Sequence, residues 1–269
     1  MIERARVAHV AGFASMSIGD HHNMANSYAQ NTPMMGRLLA EWPDRPAGCL
    51  FLVPLWHPLL MAEHIGTLAS IHADRFIAQA AIGWGADQFA AFGTSERTRG
   101  RVMEEALPVV KRLLDGETVD SEFFNMVGGR VGLRPERPVE WWLGAGADVA
   151  LERAARLGDA WYGGPGLGPE DIRRGSEIYR SNDGTQVIVR RDALVLADGD
   201  HARQVASELV GAGYRGLRFE DLIVGNPDDA AEQLAQYRAV GVDEIVVRCL
   251  GVPQELALET IELLGPLEL

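Results

Sequence analysis

The chain has 269 residues, of which 47% are hydrophobic and 23% charged, an ordinary composition for a globular protein with one large core. Its formal net charge of −13 offers no basic stripe for nucleic acid and disfavours an anionic membrane surface. No apolar run reaches the roughly 18 residues needed to span a bilayer, and the first residues do not resemble a signal peptide.

The chain repeats one pattern, in which an amphipathic helix ends at a glycine or aspartate and a short apolar strand follows. The first half is predicted to contain helices over 4–11, 33–42, 58–70 and 97–115, and strands over 13–18, 49–53 and 76–82. The second half is predicted to contain strands over 139–143, from 161, over 187–197 and over 244–248, and helices over 148–157, 169–179, 201–211 and 227–240.

This alternation predicts an α/β fold with a parallel sheet and helices outside it. Roughly seven or eight units in one domain, 1–269, favour a closed (β/α)8 TIM barrel over an open doubly wound sheet. No GxGxxG follows the first strand, which weakens the dinucleotide-binding alternative. Because the chain starts on a helix, the first strand of such a barrel is not visible, and it is truncated, supplied differently or absent.

The chemistry of a (β/α)8 barrel lies at the carboxyl ends of its strands, and Asp20-His21-His22 follows the first visible strand. A histidine there could donate or accept a proton, with Asp20 fixing its tautomer or bonding a cofactor ring. The alternative is a loop in which Asp20 caps the next segment. No HxH, HExxH or paired-cysteine motif occurs, so no metal site is predicted.

Two glycine-rich segments follow later strands. Gly144, Ala145, Gly146 and Ala147 lie between a strand and a helix, where backbone N–H groups can approach a phosphate; a tight turn is the alternative. Lys111 is the only lysine, so any phosphate must be held by arginine or by backbone N–H groups. Gly83-Trp84-Gly85 could present an indole to a planar ring, or Trp84 could belong to the core at the barrel rim.

These motifs together resemble the luciferase-like family of flavin- or deazaflavin-dependent oxidoreductases. The resemblance includes Ile18-Gly19-Asp20-His21, Gly83-Trp84 and Asp159-Ala160-Trp161. It runs in order through 11–21, 55–68, 74–93, 97–106, 154–161, 224–227 and 241–243. Each match is weak, but their order and spacing together are fairly specific.

The resemblance implies a luciferase-like barrel that binds reduced FMN or coenzyme F420 and oxidises or reduces a small organic substrate. It implies His21 as the active-site base and a cofactor site formed by Asp20, Gly48, Cys49, Leu50, Gly83, Trp84, Gly144, Ala145, Gly146 and Ala147. Gly48, Cys49 and Leu50 would lie near a strand bulge that supports the back face of the ring. A flavin reductase that supplies reduced flavin and a homodimer are further expectations. Two distant cysteines, Cys49 and Cys249, predict reduced thiols in a cytoplasmic protein.

Departures from the family pattern at three positions bear on the function. Gln79 and Ala81 stand where the family usually has glycine, and their side chains could narrow the ring position. Trp84 stands where the family's sugar-phosphate dehydrogenases have glutamate, which argues against that subclass. The Gln79 departure and the missing first strand favour the alternative, a degenerate, non-catalytic barrel that acts as a binding or partner subunit. An unrelated barrel hydrolase is disfavoured, because no convincing nucleophile or metal set is present.

Overall fold

The computed structural model describes residues 1–267, in which helices and parallel strands alternate as predicted. The helices are α1 (Ile2–Ala11), α2 (Asn31–Leu38), α3 (Pro58–Ile71), α4 (Ala86–Ala91), α5 (Arg99–Leu114), α6 (Asp148–Leu157), α7 (Pro169–Ser181), α8 (Gly199–Gly211), α9 (Pro227–Ala239) and α10 (Gln254–Leu264). The strands are β1 (Met16–Ile18), β2 (Ala47–Leu52), β3 (Phe76–Ala81), β4 (Val119–Ser121), β5 (Met126–Gly129), β6 (Glu140–Gly144), β7 (Ala160–Gly163), β8 (Gln186–Val195), β9 (Leu222–Gly225) and β10 (Glu244–Cys249).

The contacts of the chain divide it into two compact units. One runs from Ala14 to Leu143 and is called the 14–143 unit. The other combines Met1–Phe13 with the chain from Gly144 onward and is called the 144–267 unit. The single domain predicted over 1–269 stays a prediction. Within the described residues no strand precedes α1.

The 14–143 unit contains a parallel sheet in the order β1, β2, β3, β6. The register is regular, with Ile18 opposite Cys49 and Cys49 opposite Ala78. Helix α5 buries one face, with Met103, Leu107 and Val110 spaced at helical periodicity against the core. An antiparallel hairpin, β4 with β5, was not predicted, because its strands are short and lack an alternating apolar pattern.

In the 144–267 unit, β8 is the central strand. It pairs in parallel with β7, β9 and β10. Helix α10 packs along α1 and β8, and Thr260 on α10 donates its hydroxyl to the backbone carbonyl of Leu256. Strand β9 and helix α10 were not predicted, since β9 is only four residues long and α10 follows the last strand that the repeat predicted.

Candidate functional site

Asp20, two residues beyond the end of β1, is a buried candidate side chain with two hydrogen-bond donors on one carboxylate oxygen. The residue is 6% exposed. Its Oδ2 accepts hydrogen bonds from the Leu52 backbone N–H and from the Trp56 indole Nε1, both at 2.8 Å. A buried carboxylate with two N–H donors is held firmly in place, because charge-assisted hydrogen bonds are stronger than neutral ones. Asp20 therefore ties the loop after β1 to the end of β2.

The histidine that faces Asp20 is His22. Its Nε2 lies 3.1 Å from Asp20 Oδ1, and its ring packs against Phe92 with 4.9 Å between the ring centroids. The His22 backbone N–H donates to Gln88 Oε1, and Gln88 Nε2 donates to the carbonyl of Trp84. The sequence held no signal that would select His22 over His21, because adjacent loop residues point in different directions.

His21, the predicted base, is half-buried and lies elsewhere in the same loop. Its ring meets the Tyr28 ring edge-on, with 5.9 Å between centroids, and its carbonyl accepts a hydrogen bond from Gln30 Nε2 at 3.5 Å. Its catalytic role stays a prediction.

Trp84 is exposed beyond the end of β3. The residue is 74% exposed, so it is not the core tryptophan that the alternative interpretation required. It stands between Gly83 and Gly85, whose φ angles of +67° and +105° are in the left-handed region that favours glycine. We call Trp84, His22 and Phe92 the histidine–tryptophan edge. Gln88 links the backbones of His22 and Trp84, and Phe92 packs on the His22 ring.

Gly48, Cys49 and Leu50 lie inside β2, where the register with β1 and β3 is unbroken. The expected bulge is therefore not observed between these strands. A Cβ atom on Gly48 would lie 2.1 Å from the Ile77 carbonyl oxygen, so this glycine permits close strand packing. Cys49 is fully buried, and burial followed by the charge of Asp20 raises the pKa of its thiol. The cofactor roles of these three residues stay predictions.

Gln79, the departure from the family's glycine, is buried in β3 and lies opposite Leu50 on β2. Its amide Nε2 is buried without a hydrogen-bond partner among residues 1–267. An unsatisfied buried donor costs free energy, so this amide is an unused hydrogen-bond donor; whether its side chain narrows the ring position stays a prediction.

In the 144–267 unit, the segment from Gly144 to Ala147 leads into α6. No side chain caps the start of this helix at Ala147, and a Cβ atom on Gly146 would meet no atom within 4 Å. The helix N-terminus is favourable for an anion. Asp148 in the first turn opposes that charge but is itself paired with Arg174 Nη2, 2.8 Å away. Trp161 Nε1 donates to the Ala145 carbonyl at 3.0 Å and fixes the loop.

Within residues 1–267, no group of three or more histidine, cysteine, aspartate or glutamate side chains is arranged to hold a metal ion. In the same residues, no helix has both the length and the apolar character needed to cross a membrane.

Comparison with known proteins identifies the family. The sequence model of the luciferase-like monooxygenase family matches residues 1–220, so the chain belongs to this family. The resemblance inferred from the motifs is confirmed.

Curated relatives within the family differ in cofactor. The chain is 22% identical over 302 residues to an F420-dependent glucose-6-phosphate dehydrogenase of Intrasporangium calvum, covering 94% of this chain and 90% of that protein. It is 23% identical over 281 residues to an FMNH2-dependent dimethylsulfone monooxygenase of Pseudomonas fluorescens, covering 88% of this chain and 75% of that protein. An uncharacterized protein of Mycobacterium bovis is 27% identical over 124 residues, and this match spans only 42% of that relative's length.

Solved structures confirm the predicted fold. An F420-dependent secondary alcohol dehydrogenase, solved with an F420–acetone adduct, matches with a TM-score of 0.83 and 15% identity, covering 99% of this chain and 93% of that one. A monooxygenase of Streptomyces bottropensis matches with a TM-score of 0.81 and 19% identity, covering 98% and 92%. The chain therefore has the α/β, TIM-barrel fold of the luciferase-like proteins.

Proposed function

We propose that this protein is an oxidoreductase of the monooxygenase or hydride-transfer type that uses reduced FMN or coenzyme F420 to act on a small organic substrate. The observation that carries the proposal is the histidine–tryptophan edge in a member of the luciferase-like family. An indole left 74% exposed between two glycines is available to stack on a planar ring. The relatives named above use these two cofactors.

The residues of each unit fit such a cofactor. In the 14–143 unit, Trp84 offers a ring face and Gln79 Nε2 an unused buried donor. In the 144–267 unit, the uncapped start of α6 and the open space at Gly146 suit a phosphate group. When bound, the cofactor supplies the redox chemistry, either through oxygen or through hydride transfer.

The protein's own contribution is orientation and proton transfer. We assign the proton-transfer role to His21, which stands where the family resemblance puts the base. Asp20 and His22 form a buried pair that positions this loop, because the Asp20 carboxylate also holds Leu52 and Trp56. Replacing His21 with Gln is expected to lower turnover without weakening cofactor binding, whereas His22→Gln is expected to lower stability.

A titration tests the proposal. Purified protein is titrated with FMN, with FMN reduced under anoxic conditions, and with coenzyme F420, and binding is followed by fluorescence or calorimetry. Micromolar binding of one of them is expected. Loss of one stacking contact in Trp84→Ala should weaken it about three- to tenfold, and Gly146→Val should abolish it. Phe123→Ala, which removes a half-exposed aromatic ring in the same unit, is the matched control and should have no effect.

A second candidate function is a non-catalytic binding or partner subunit. The buried Gln79 side chain at the family's glycine position favours it. Failure of the folded protein to bind any of the three compounds would reject the enzyme and leave this alternative. If the Gln79 side chain blocks the cofactor ring, the Gln79→Gly variant should then bind one of the three compounds.

The cofactor selected by the titration predicts the partners. Binding of reduced FMN would require a flavin reductase to supply it, and consumption of oxygen would accompany turnover. If F420 is the cofactor that binds, turnover should proceed without consumption of oxygen. We also propose a homodimer, which sedimentation would test.

A further inference from the structure

One face of β8 in the 144–267 unit carries a charged cluster that the proposed cofactor site does not use. Asp192 has a fully buried side chain. Its Oδ1 is 3.1 Å from Arg190 Nε, and its Oδ2 accepts a hydrogen bond from the Tyr214 hydroxyl at 2.9 Å. Arg215 Nε lies 3.6 Å from the same oxygen. One carboxylate is therefore shared by two guanidinium groups and a phenol.

A third guanidinium adds to this excess of positive charge. Arg248 on β10 is the register partner of Asp192 on β8. It is exposed, and its side chain has no hydrogen bond or ion pair among residues 1–267. Arg190 Nη2 is buried and likewise has no hydrogen-bond partner in that part of the chain. Within the described residues, Asp192 is the carboxylate that lies within 4 Å of both Arg190 and Arg215. The three guanidinium groups therefore exceed the negative charge that Asp192 supplies.

The lowered pKa of Arg215 is consistent with an excess of positive charge in this cluster. Burial, and then the like charges of Arg248 and Arg190, lower the pKa of the Arg215 guanidinium. Arg215 also has a φ of +52°, a left-handed conformation that is unfavourable for a residue with a side chain. The loop from Gly213 to Gly216 thus holds Arg215 near the other arginines against both charge repulsion and backbone preference.

We propose that Arg190, Arg215 and Arg248 form a binding site for an oxyanion, a phosphate or carboxylate group of a small-molecule ligand. Arginine presents several N–H groups in a fixed fork that matches such oxygens. Two of these guanidinium groups have unused donors, and an anion would offset the like-charge repulsion among all three. Asp192 and Tyr214 position the arginines rather than bind the ligand. The proposal does not depend on the proposed redox function.

Binding of two simple probes tests the site. The protein is titrated at pH 7 and low ionic strength with inorganic phosphate and, separately, with acetate, and binding is measured by calorimetry. Saturable binding of at least one probe is expected. Arg248→Gln should weaken it at least tenfold, and Arg190→Gln should have a similar effect. Arg238→Gln, an exposed arginine at the end of α9, is the matched control and should bind like the parent protein.

The Gly146→Val variant separates this site from the phosphate site proposed before α6. Retention of probe binding in Gly146→Val with loss in Arg248→Gln supports the arginine site. Tighter phosphate binding assigns a phosphate-bearing ligand, and tighter acetate binding a carboxylate. The proposal is overturned if the folded protein binds neither probe, if Arg248→Gln binds like the parent, or if only Gly146→Val loses binding. If the Arg190→Gln variant fails to fold, probe binding by the Arg248→Gln variant tests the proposal, because Arg248 is exposed.

Discussion

Replacement of Asp20 by Ala is the most informative perturbation of the 14–143 unit. The substitution removes the acceptor of the Leu52 N–H and the Trp56 indole N–H, and it removes the carboxylate 3.1 Å from His22. Leu52 is buried, so its N–H would have no water to replace the lost oxygen. Trp56 is half-buried, and water can in part satisfy its indole.

The expected loss of stability follows from these contacts. A hydrogen bond to a charged group contributes about 1.5–3 kcal/mol, so the two bonds together are worth about 4 kcal/mol once the partial exposure of Trp56 is discounted. This is a large part of the roughly 5–15 kcal/mol that stabilises a typical domain. Asp20→Asn keeps an acceptor oxygen and should cost only about 1–2 kcal/mol.

Guanidinium unfolding followed by tryptophan fluorescence measures these differences. Asp115→Ala is the control, because Asp115 is an exposed carboxylate in the same unit whose side chain has no hydrogen bond or ion pair within residues 1–267. The expected order of stability is Asp115→Ala, then Asp20→Asn, then Asp20→Ala. If Asp20→Ala unfolds within about 1 kcal/mol of the control, the buried carboxylate does not hold the loop and the reasoning fails.

Three further predictions concern buried groups. Burial raises the pKa of both thiols, but Cys49 is fully buried and its pKa is raised further, whereas Cys249 is partly accessible. A thiol reagent at pH 8 should therefore label Cys249 before Cys49, and labelling of a Cys249→Ser variant should be slow unless the protein is unfolded. Burial lowers the pKa of His72, so the neutral histidine contributes its full stability above about pH 6.5, and this stability is lost as the pH falls below that value. The His72→Gln variant should therefore show a flatter dependence of Tm on pH in this range. An unchanged slope would contradict the prediction. Arg191→Met should destabilise the protein by about 3 kcal/mol or more, because the buried guanidinium donates to the Gly164, Pro165 and Leu167 carbonyls; Arg238→Met should unfold like the parent.

The sequence by itself determined the order of the elements and the class of the fold. Helical periodicity and short apolar runs reflect hydrogen bonds and burial within a few residues, and these are local properties of the chain. The sequence also placed Gly83 and Gly85 at the end of a strand, whereas their positive φ angles became visible only in the structure. Short or isolated elements such as β9 gave no periodic signal and were missed.

Tertiary structure alone decided which side chains meet. Asp20 reaches Leu52 and Trp56, 32 and 36 positions away, because the end of β1 lies beside the end of β2, and this loop geometry turned His22 toward the carboxylate. Arg248 lies opposite Asp192 only because β10 pairs with β8 in one register. A shift by one residue would turn each side chain to the other face, so no local pattern could have revealed the arginine cluster. The exposure of Trp84 was likewise decided by packing, since an apolar residue at a strand end is equally compatible with the core and with a ligand surface.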